Sequence, residues 1–393
     1  MYEIDSYGSV AGDFSNGNPS TNTPATVADA TWFNALQDEI VGVIENAGLV
    51  LDKLDSTQLL QALQLMSGAV PAGGRNLFIN GDMRLAQRGL SANFGATYAA
   101  PLSGYCLDRW FHQSDTGVGT GSAQVSRVAF TIGQTAVPGD PIYFLRHQQT
   151  ANATAGNPTV AQKIEGVRGF SSGTRTLSIW LKGLTSYNVT ARAVQVFGNG
   201  GSPSGSVVVG TSVLAITTGW VKYEVPFTIP SLAGKTLGTA GNDHLLVEFQ
   251  LPMGATFTFD VSRGQFESGS VAGDFEVRPL SQELALARRY YEKSYEVETP
   301  PATNTLLGMK RWKCWNSTAS STFPDAETRF MVEKRGLPAI TWYDDIQAAR
   351  LYLIGGTVSG TNQISRRSTG FPTMTVSGGF VDAGAHWTAD SEL

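Results

Sequence analysis

The sequence predicts a mainly β protein with an N-terminal helical module, a central β-sandwich (jelly roll), a short connecting helix and a C-terminal β-domain. Three observations carry this. The 393 residues include 44 glycines, and only 16% are charged, a balance that suits a turn-rich β protein better than a helical bundle or a disordered chain. From about residue 75 to 277, short segments alternate apolar and polar with a period of two and are divided by turn clusters. Two stretches, 33–47 and 280–291, break that pattern with helical spacing.

A chain of this length should hold more than one folded unit. The expected boundaries are 1–74 for an arm and short helices, 75–279 for the sandwich, 280–294 for the connecting helix and 295–393 for the C-terminal β-domain. Residues 1–27, with "NGNPSTNTP", read as an extended arm. A helix is expected over about 29–47, with Asp29 or Thr31 as N-cap and Gly48 as its stop. Phe33, Leu36, Ile40, Val43 and Ala47 follow the a/d spacing of a coiled-coil seam for barely two heptads. "LDKLDSTQLLQALQLM" suggests a second helix with Asp55 capping and Gln58 at N3, a variant of the capping box. "SGAVPAGG" (67–74) reads as a linker.

"RVAFTI", "PIYFLRH", "TLSIWLKG", "YNVTARAVQVF", "WVKYEVPFTI", "HLLVEFQL" and "TFTFDVSRGQFE" are the expected sandwich strands. Alternating βα units are absent, which argues against a doubly wound sheet. "PLSQELALARRYYEKSY" then reads as a helix with Ser281 as N-cap and Leu284, Ala287 and Tyr291 on one stripe. "ETRFMVEKR", "AITWYD", "ARLYLIGG" and "TMTVSGGFV" are expected strands of the last domain. Stripes as small as the two helical ones gain little within one chain, whereas three parallel copies would bury them fully. The competing reading packs each helix on its neighbouring β-domain.

Candidate chemistry is sparse. "GFSSG" (169–173) matches G-x-S-x-G, with Ser171 at the nucleophile position. A nucleophile elbow needs a helix after it, and here "TRTLSIWL" follows, so the match falls in a loop. None of the four histidines, His112, His147, His244 and His386, has a distinctive setting for a base. The glycine-rich "GVGTG" and "GNGGSPSG" lack the order and context of phosphate loops. Cys106 and Cys314 alone make neither a disulfide framework nor a zinc site. No cofactor is indicated. A structural calcium would need oxygen ligands from scattered Asp, Asn and carbonyls, and nothing marks one. The net charge of −5 gives no support to nucleic-acid binding. No segment reaches the apolar length of a membrane span, and "MYEIDSYGSVAGDF" lacks the basic and apolar regions of a signal peptide.

The sandwich carries the better hint. In "TLSIWLKG", Leu177, Ile179 and Leu181 face one way, and Ser178, Trp180 and Lys182 the other. Arg192, Glu248 and Gln250 can also lie on polar strand faces. A tryptophan ringed by Lys182, Arg192, Glu248 and Gln250 would bind sugar by stacking on its apolar face and pairing with its hydroxyls. The alternative packs Trp180 under the C-terminal domain or at a subunit contact.

"TWFNALQDEIVGVIENAGLVLDKLDSTQLLQAL" resembles the N-terminal attachment module of bacteriophage tail fibre and receptor-binding proteins. "NLFINGDMRLAQRG" followed by "YCLDRWFH" resembles the start of a carbohydrate-binding-module-like jelly roll of phage and prophage tail proteins. "QKIEG", "TLSIWLKG", "RPLSQELALARRYYEKSY" and the terminal "AHWTADSEL" continue the pattern across nearly the whole chain. One departure is Ala287, where relatives often carry cysteine. The resemblance implies a non-catalytic structural protein of a phage tail fibre or tip. Its parts would be a homotrimer attached to other tail proteins by residues 1–70, with sandwiches that recognise host surface polysaccharide or lipopolysaccharide. It further implies location in the virion after synthesis in the bacterial host cytoplasm, and a structural role for Asp108, Arg109 and Trp110. The alternative function is a tail-associated polysaccharide depolymerase or esterase.

Overall fold

A computed structural model describes residues 3–66, 74–95, 102–115, 119–313, 326–327, 329–343, 352–353, 363–367, 372–375 and 382–393. The chain divides into two compact units, Met1–Arg75 and Asn76–Leu393.

In the first unit, α1 (Ala30–Asn46) begins where the sequence places it, and the Asp29 carboxylate accepts from the Trp32 N–H at 2.9 Å as the N-cap. The arm before it is not wholly extended, since Pro19–Thr21 form one 3-10 turn. The second helix, α2 (Gln58–Met66), starts later than its apolar pattern suggests. Asp55 accepts from the Thr57 N–H at 2.8 Å. Gln58, instead of closing a capping box, binds the preceding loop through the Asp52 N–H and the Val50 carbonyl. Of the expected linker 67–74, residues 67–73 lie outside the described residues.

The second unit is built on two six-stranded antiparallel sheets. In the first, the order is β1 (Ser91–Gly95), β4 (Ser122–Ala129), β5 (Tyr143–Ala151), β12 (Phe257–Ser268), β7 (Thr174–Gly183) and β10 (Val221–Thr228). In the second it is β2 (Ser103–Tyr105), β3 (Phe111–Gln113), β6 (Thr159–Glu165), β11 (His244–Gln250), β8 (Tyr187–Val196) and β9 (Val207–Ile216). The inward rows of both sheets, among them Leu177, Ile179 and Leu181 on β7 and Leu245, Val247 and Phe249 on β11, meet in one apolar core with Trp110. Cys106 is buried there as a free thiol, and burial pushes it up to about 12. Cys314 lies outside the described residues.

The "NLFINGDMRLAQRG" segment and "LDRW" tie the core together through buried polar groups. Asn80, fully buried, donates to the Leu85 and Asp108 carbonyls and accepts from the Leu85 N–H. The Asp108 carboxylate takes both the backbone and side-chain N–H of Gln87, each at 2.8 Å. The guanidinium of Arg109 lies 3.5 Å over the Tyr290 ring and pairs with Glu392. The structural role expected of Asp108, Arg109 and Trp110 is what their burial and partners describe.

The connecting helix is shorter than expected. The helix α3 spans Leu280–Arg288 with Pro279, not Ser281, at the N-cap. The chain then turns into β13 (Tyr291–Lys293), which pairs with β20 (Asp382–Asp390). The expected stripe Leu284–Ala287–Tyr291 is therefore not one helical face, since Tyr291 lies in β13. Ala287 and Tyr291 are buried within their own chain, and the Arg88 guanidinium covers the Tyr291 ring at 3.7 Å. Glu283 fixes the helix to the sandwich, accepting from the Asn80 N–H and pairing with Arg278 at 3.1 Å.

The remaining strands are β14 (Lys310–Lys313), β16 (Ala339–Tyr343) and β17 (Tyr352–Leu353), which join β13 on β20, and a small sheet of β15 (Ala326–Glu327), β19 (Pro372–Thr375) and β18 (Gln363–Arg367). The expected sandwich, connecting helix and C-terminal β-region lie in one compact unit. Most of the expected strands "ARLYLIGG" and "TMTVSGGFV" lie outside the described residues.

Candidate functional site

Alternation along β7 sets the candidate site. Because Leu177, Ile179 and Leu181 point into the core, Trp180 and Lys182 stand on the outer face of the first sheet. Trp180 is half-buried there, in register with Ser262 of β12 on one side and Lys222 of β10 on the other. Lys182 is in register with Asp260 of β12. Asp260 is fully buried and holds Arg146 of β5 through two bonds of 2.8 Å. This hydrogen-bonded carboxylate raises the Arg146 pKa. Lys222 pairs with Glu224 at 2.6 Å on the exposed margin.

Three aromatic rings cluster at this face. The rings of Phe130 and Phe144 lie 4.8 Å apart, and Trp220 sits 5.4 Å from each. Phe144 belongs to the outward row of β5, since Leu145 and His147 beside it point inward. Trp220 comes from the turn before β10. Phe130, Phe144, Trp220, Arg146 and Asp260 were not singled out from the sequence. The outward position of Phe144 in "YFLRH" was legible from alternation, whereas nothing local in "TTGW" shows that Trp220 reaches Phe144.

The five expected sugar contacts are not brought together. Trp180 and Lys182 share the outer face of the first sheet, but Arg192 of β8 and Glu248 and Gln250 of β11 stand on the outer face of the second. The two faces lie on opposite sides of the core, so Arg192, Glu248 and Gln250 cannot ring Trp180. Instead Arg192 pairs with Glu248, its register partner, and Gln250 stands between Thr159 and Thr190.

Ser171 is exposed in the loop between a 3-10 turn at Val167–Gly169 and β7, with no helix after it. His112 and His147 are wholly buried in the core and stack at 5.8 Å. Among the described residues no group of three or more His, Cys, Asp or Glu could hold a metal ion, and no helix is long and apolar enough to cross a membrane.

The chain thus belongs to the class of antiparallel β-sandwich proteins, and its outer sheet face combines half-buried aromatic rings with charged and hydroxyl groups. No family model matches it. It is 37% identical over 94 residues to "Uncharacterized protein StfP" of Escherichia coli (strain K12), a match covering 23% of this chain and 44% of that protein. The chain thus spans less than half the length of this curated relative. Similar solved structures include a domain described as CBM4 (11% identity, 48% of this chain and 98% of that one, TM-score 0.30). Another is the N-terminal cellulose-binding domain of Cellulomonas fimi β-1,4-glucanase C (17% identity, 40% and 94%, TM-score 0.26). A third is the enzymatically active domain of tailspike protein 4 of bacteriophage CBA120 (9% identity, 49% and 21%, TM-score 0.29). Likeness at these scores carries no weight for function.

Proposed function

We propose that the chain is a non-catalytic structural protein of a phage tail fibre or tip that recognises host cell-surface polysaccharide through the outer face of its first sheet. One observation carries the sugar-binding part: Trp180 stands half-buried beside Lys182, Lys222 and Ser262, on a face continuous with an aromatic cluster. An indole of that kind suits the apolar face of a pyranose, and the flanking groups suit its hydroxyls.

Attachment to other tail proteins through residues 1–70, as a homotrimer, rests on the sequence resemblance and on α1. Phe33 is 52% and Ile40 37% exposed on α1, on the stripe with a/d spacing. Three copies around one axis would cover that stripe.

A glycan array carrying polysaccharides and lipopolysaccharide cores of enteric bacteria, probed with the full chain, tests the reading. Retention on a subset of glycans with no release of reducing sugar is the expected result. Retention on none overturns recognition, and sugar release overturns the non-catalytic assignment.

A further inference from the structure

Beside the Trp180 face, the second unit has a cavity of about 190 Å³ lined by residues of four separate segments, among them Asp82, Arg84, Asp140, Arg263 and Phe275. Its geometry originates in a bulge. The register of β12 with β7 shifts between Ser262 and Gln265, and Arg263 in that bulge has a left-handed backbone, φ +46°. Bulges re-aim side chains, and a non-glycine residue held at positive φ is costly unless its surroundings impose it. Here they do. The next residue, Gly264, donates its N–H to the Gly81 carbonyl at 2.9 Å. A Cβ on Gly81 would lie 2.1 Å from the Gly264 oxygen, so the two backbones meet at a distance only glycine allows. Asp140, in the facing loop, also has a left-handed backbone, φ +47°.

The wall chemistry is balanced. Arg263 donates to the Gly139 carbonyl at 2.8 Å and lies 5.2 Å from the Phe275 ring centre. Arg84 pairs with Asp82 and donates to the Arg278 carbonyl at 2.5 Å. Asp82 Oδ1 and Arg263 Nε are left buried without a partner. Two carboxylates and two guanidiniums cancel, so the site offers no excess charge to an anion. A hydroxyl both donates and accepts, which fits unused capacity on a carboxylate and a guanidinium together. Phe275, Ile142 and Val277 supply an apolar wall. The volume lies below the roughly 300–1,000 Å³ of sites for drug-sized ligands, which suits one ring and not a chain.

We propose that this cavity binds one neutral pyranose unit of the same glycan that lies along the Trp180 face. The inference rests on the sugar-binding reading above. Continuity comes from the backbone: Ser262, adjacent to Arg263, is the register partner of Trp180, and the Ile142 carbonyl accepts from the Phe130 N–H at 2.9 Å.

The test is calorimetry on the full chain with di- to hexasaccharides of neutral hexoses and N-acetylhexosamines, and hexuronic-acid oligosaccharides as the charged comparison. Arg263→Gly removes the side chain and suits the left-handed backbone, so melting should hold while affinity for the best neutral oligosaccharide falls about tenfold or more. Asp82→Asn should weaken the same binding, and it decides the matter if Arg263→Gly proves unstable. Binding unchanged in both variants but lost in Trp180→Ala overturns the cavity and leaves the sheet-face reading standing. Tighter binding of hexuronic-acid oligosaccharides overturns the neutral ligand class. No binding by the wild type to any of these sugars overturns both.

Discussion

The indole Nε1 of Trp110 donates to the carbonyl oxygen of Asn80 at 2.9 Å, and both residues are fully buried. That bond joins the "INGD" turn to the "LDRW" turn inside the core. Trp110→Ala should cost about 3–5 kcal/mol by cavity formation alone. Trp110→Phe keeps an aromatic ring and removes only the indole bond, because the Asn80 oxygen still accepts from the Met83 N–H at 3.2 Å; the cost should be about 0.5–1.5 kcal/mol. Denaturant unfolding of the two variants should rank them in that order.

Stability should fall as the pH drops from 6.5 towards 4. Burial pushes His147 down to about 4, and burial together with the neighbouring His147 pushes His112 well below its ordinary 6.5. An unfolded chain binds these protons at pH 5 and the folded chain does not, so lowering the pH in this window favours unfolding. Both ring nitrogens of His112 are buried without a hydrogen-bond partner, and the ring stacks 6.1 Å from Phe94. His112→Phe should therefore fold, and its melting temperature should depend less on pH between 6.5 and 4 than that of the wild type. An unchanged pH slope would mean that His112 is not the group that titrates.

Assembly should depend on α1 and not on α3. Light scattering of the full chain should give three times the 41.9 kDa of one protomer. Ile40→Asp would place three carboxylates around one axis and should release monomer, since burying an unpaired charge costs on the order of several kcal/mol. Leu284→Asp, on a helix that its own chain already covers at Ala287, should leave the mass unchanged.

The sandwich was legible because most of its strands obey period-two alternation, and the Asp29 cap was legible because capping is local. Five sandwich strands, β1, β2, β3, β6 and β9, are absent from the expected set, and two of them, β6 and β9, break the alternation rule for identifiable reasons. On β6, Gln162 points inward and is satisfied by the N–H and carbonyl of Ile79, so a polar residue occupies a core position. On β9, Val208 and Val213 are exposed, 51% and 65%, so both faces of this edge strand are apolar. The helix at 280 is expected to run too far because Tyr291 continues the Leu284–Ala287 stripe, while pairing with β20, a hundred residues away in sequence, draws Tyr291 into a strand. The site was half legible. Alternation gives the side of a strand that Trp180, Arg192 and Glu248 occupy, but sheet membership is set by long-range pairing. Since β7 pairs with β10 and β12 while β8 pairs with β9 and β11, outward residues of the two groups point in opposite directions.

The most direct measurement is the affinity of Trp180→Ala and Arg192→Ala, beside the wild type, for the polysaccharide that the full chain retains on the array. Loss of a stacked aromatic anchor should cost about 2 kcal/mol, roughly thirtyfold in Kd. Arg192, on the opposite face of the sandwich, should change binding by less than about twofold. Trp180→Ala should melt close to the wild type, because its indole is only half-buried. Unchanged binding in Trp180→Ala together with a large fall in melting temperature, or a loss of affinity in Arg192→Ala alone, would contradict recognition by the first sheet.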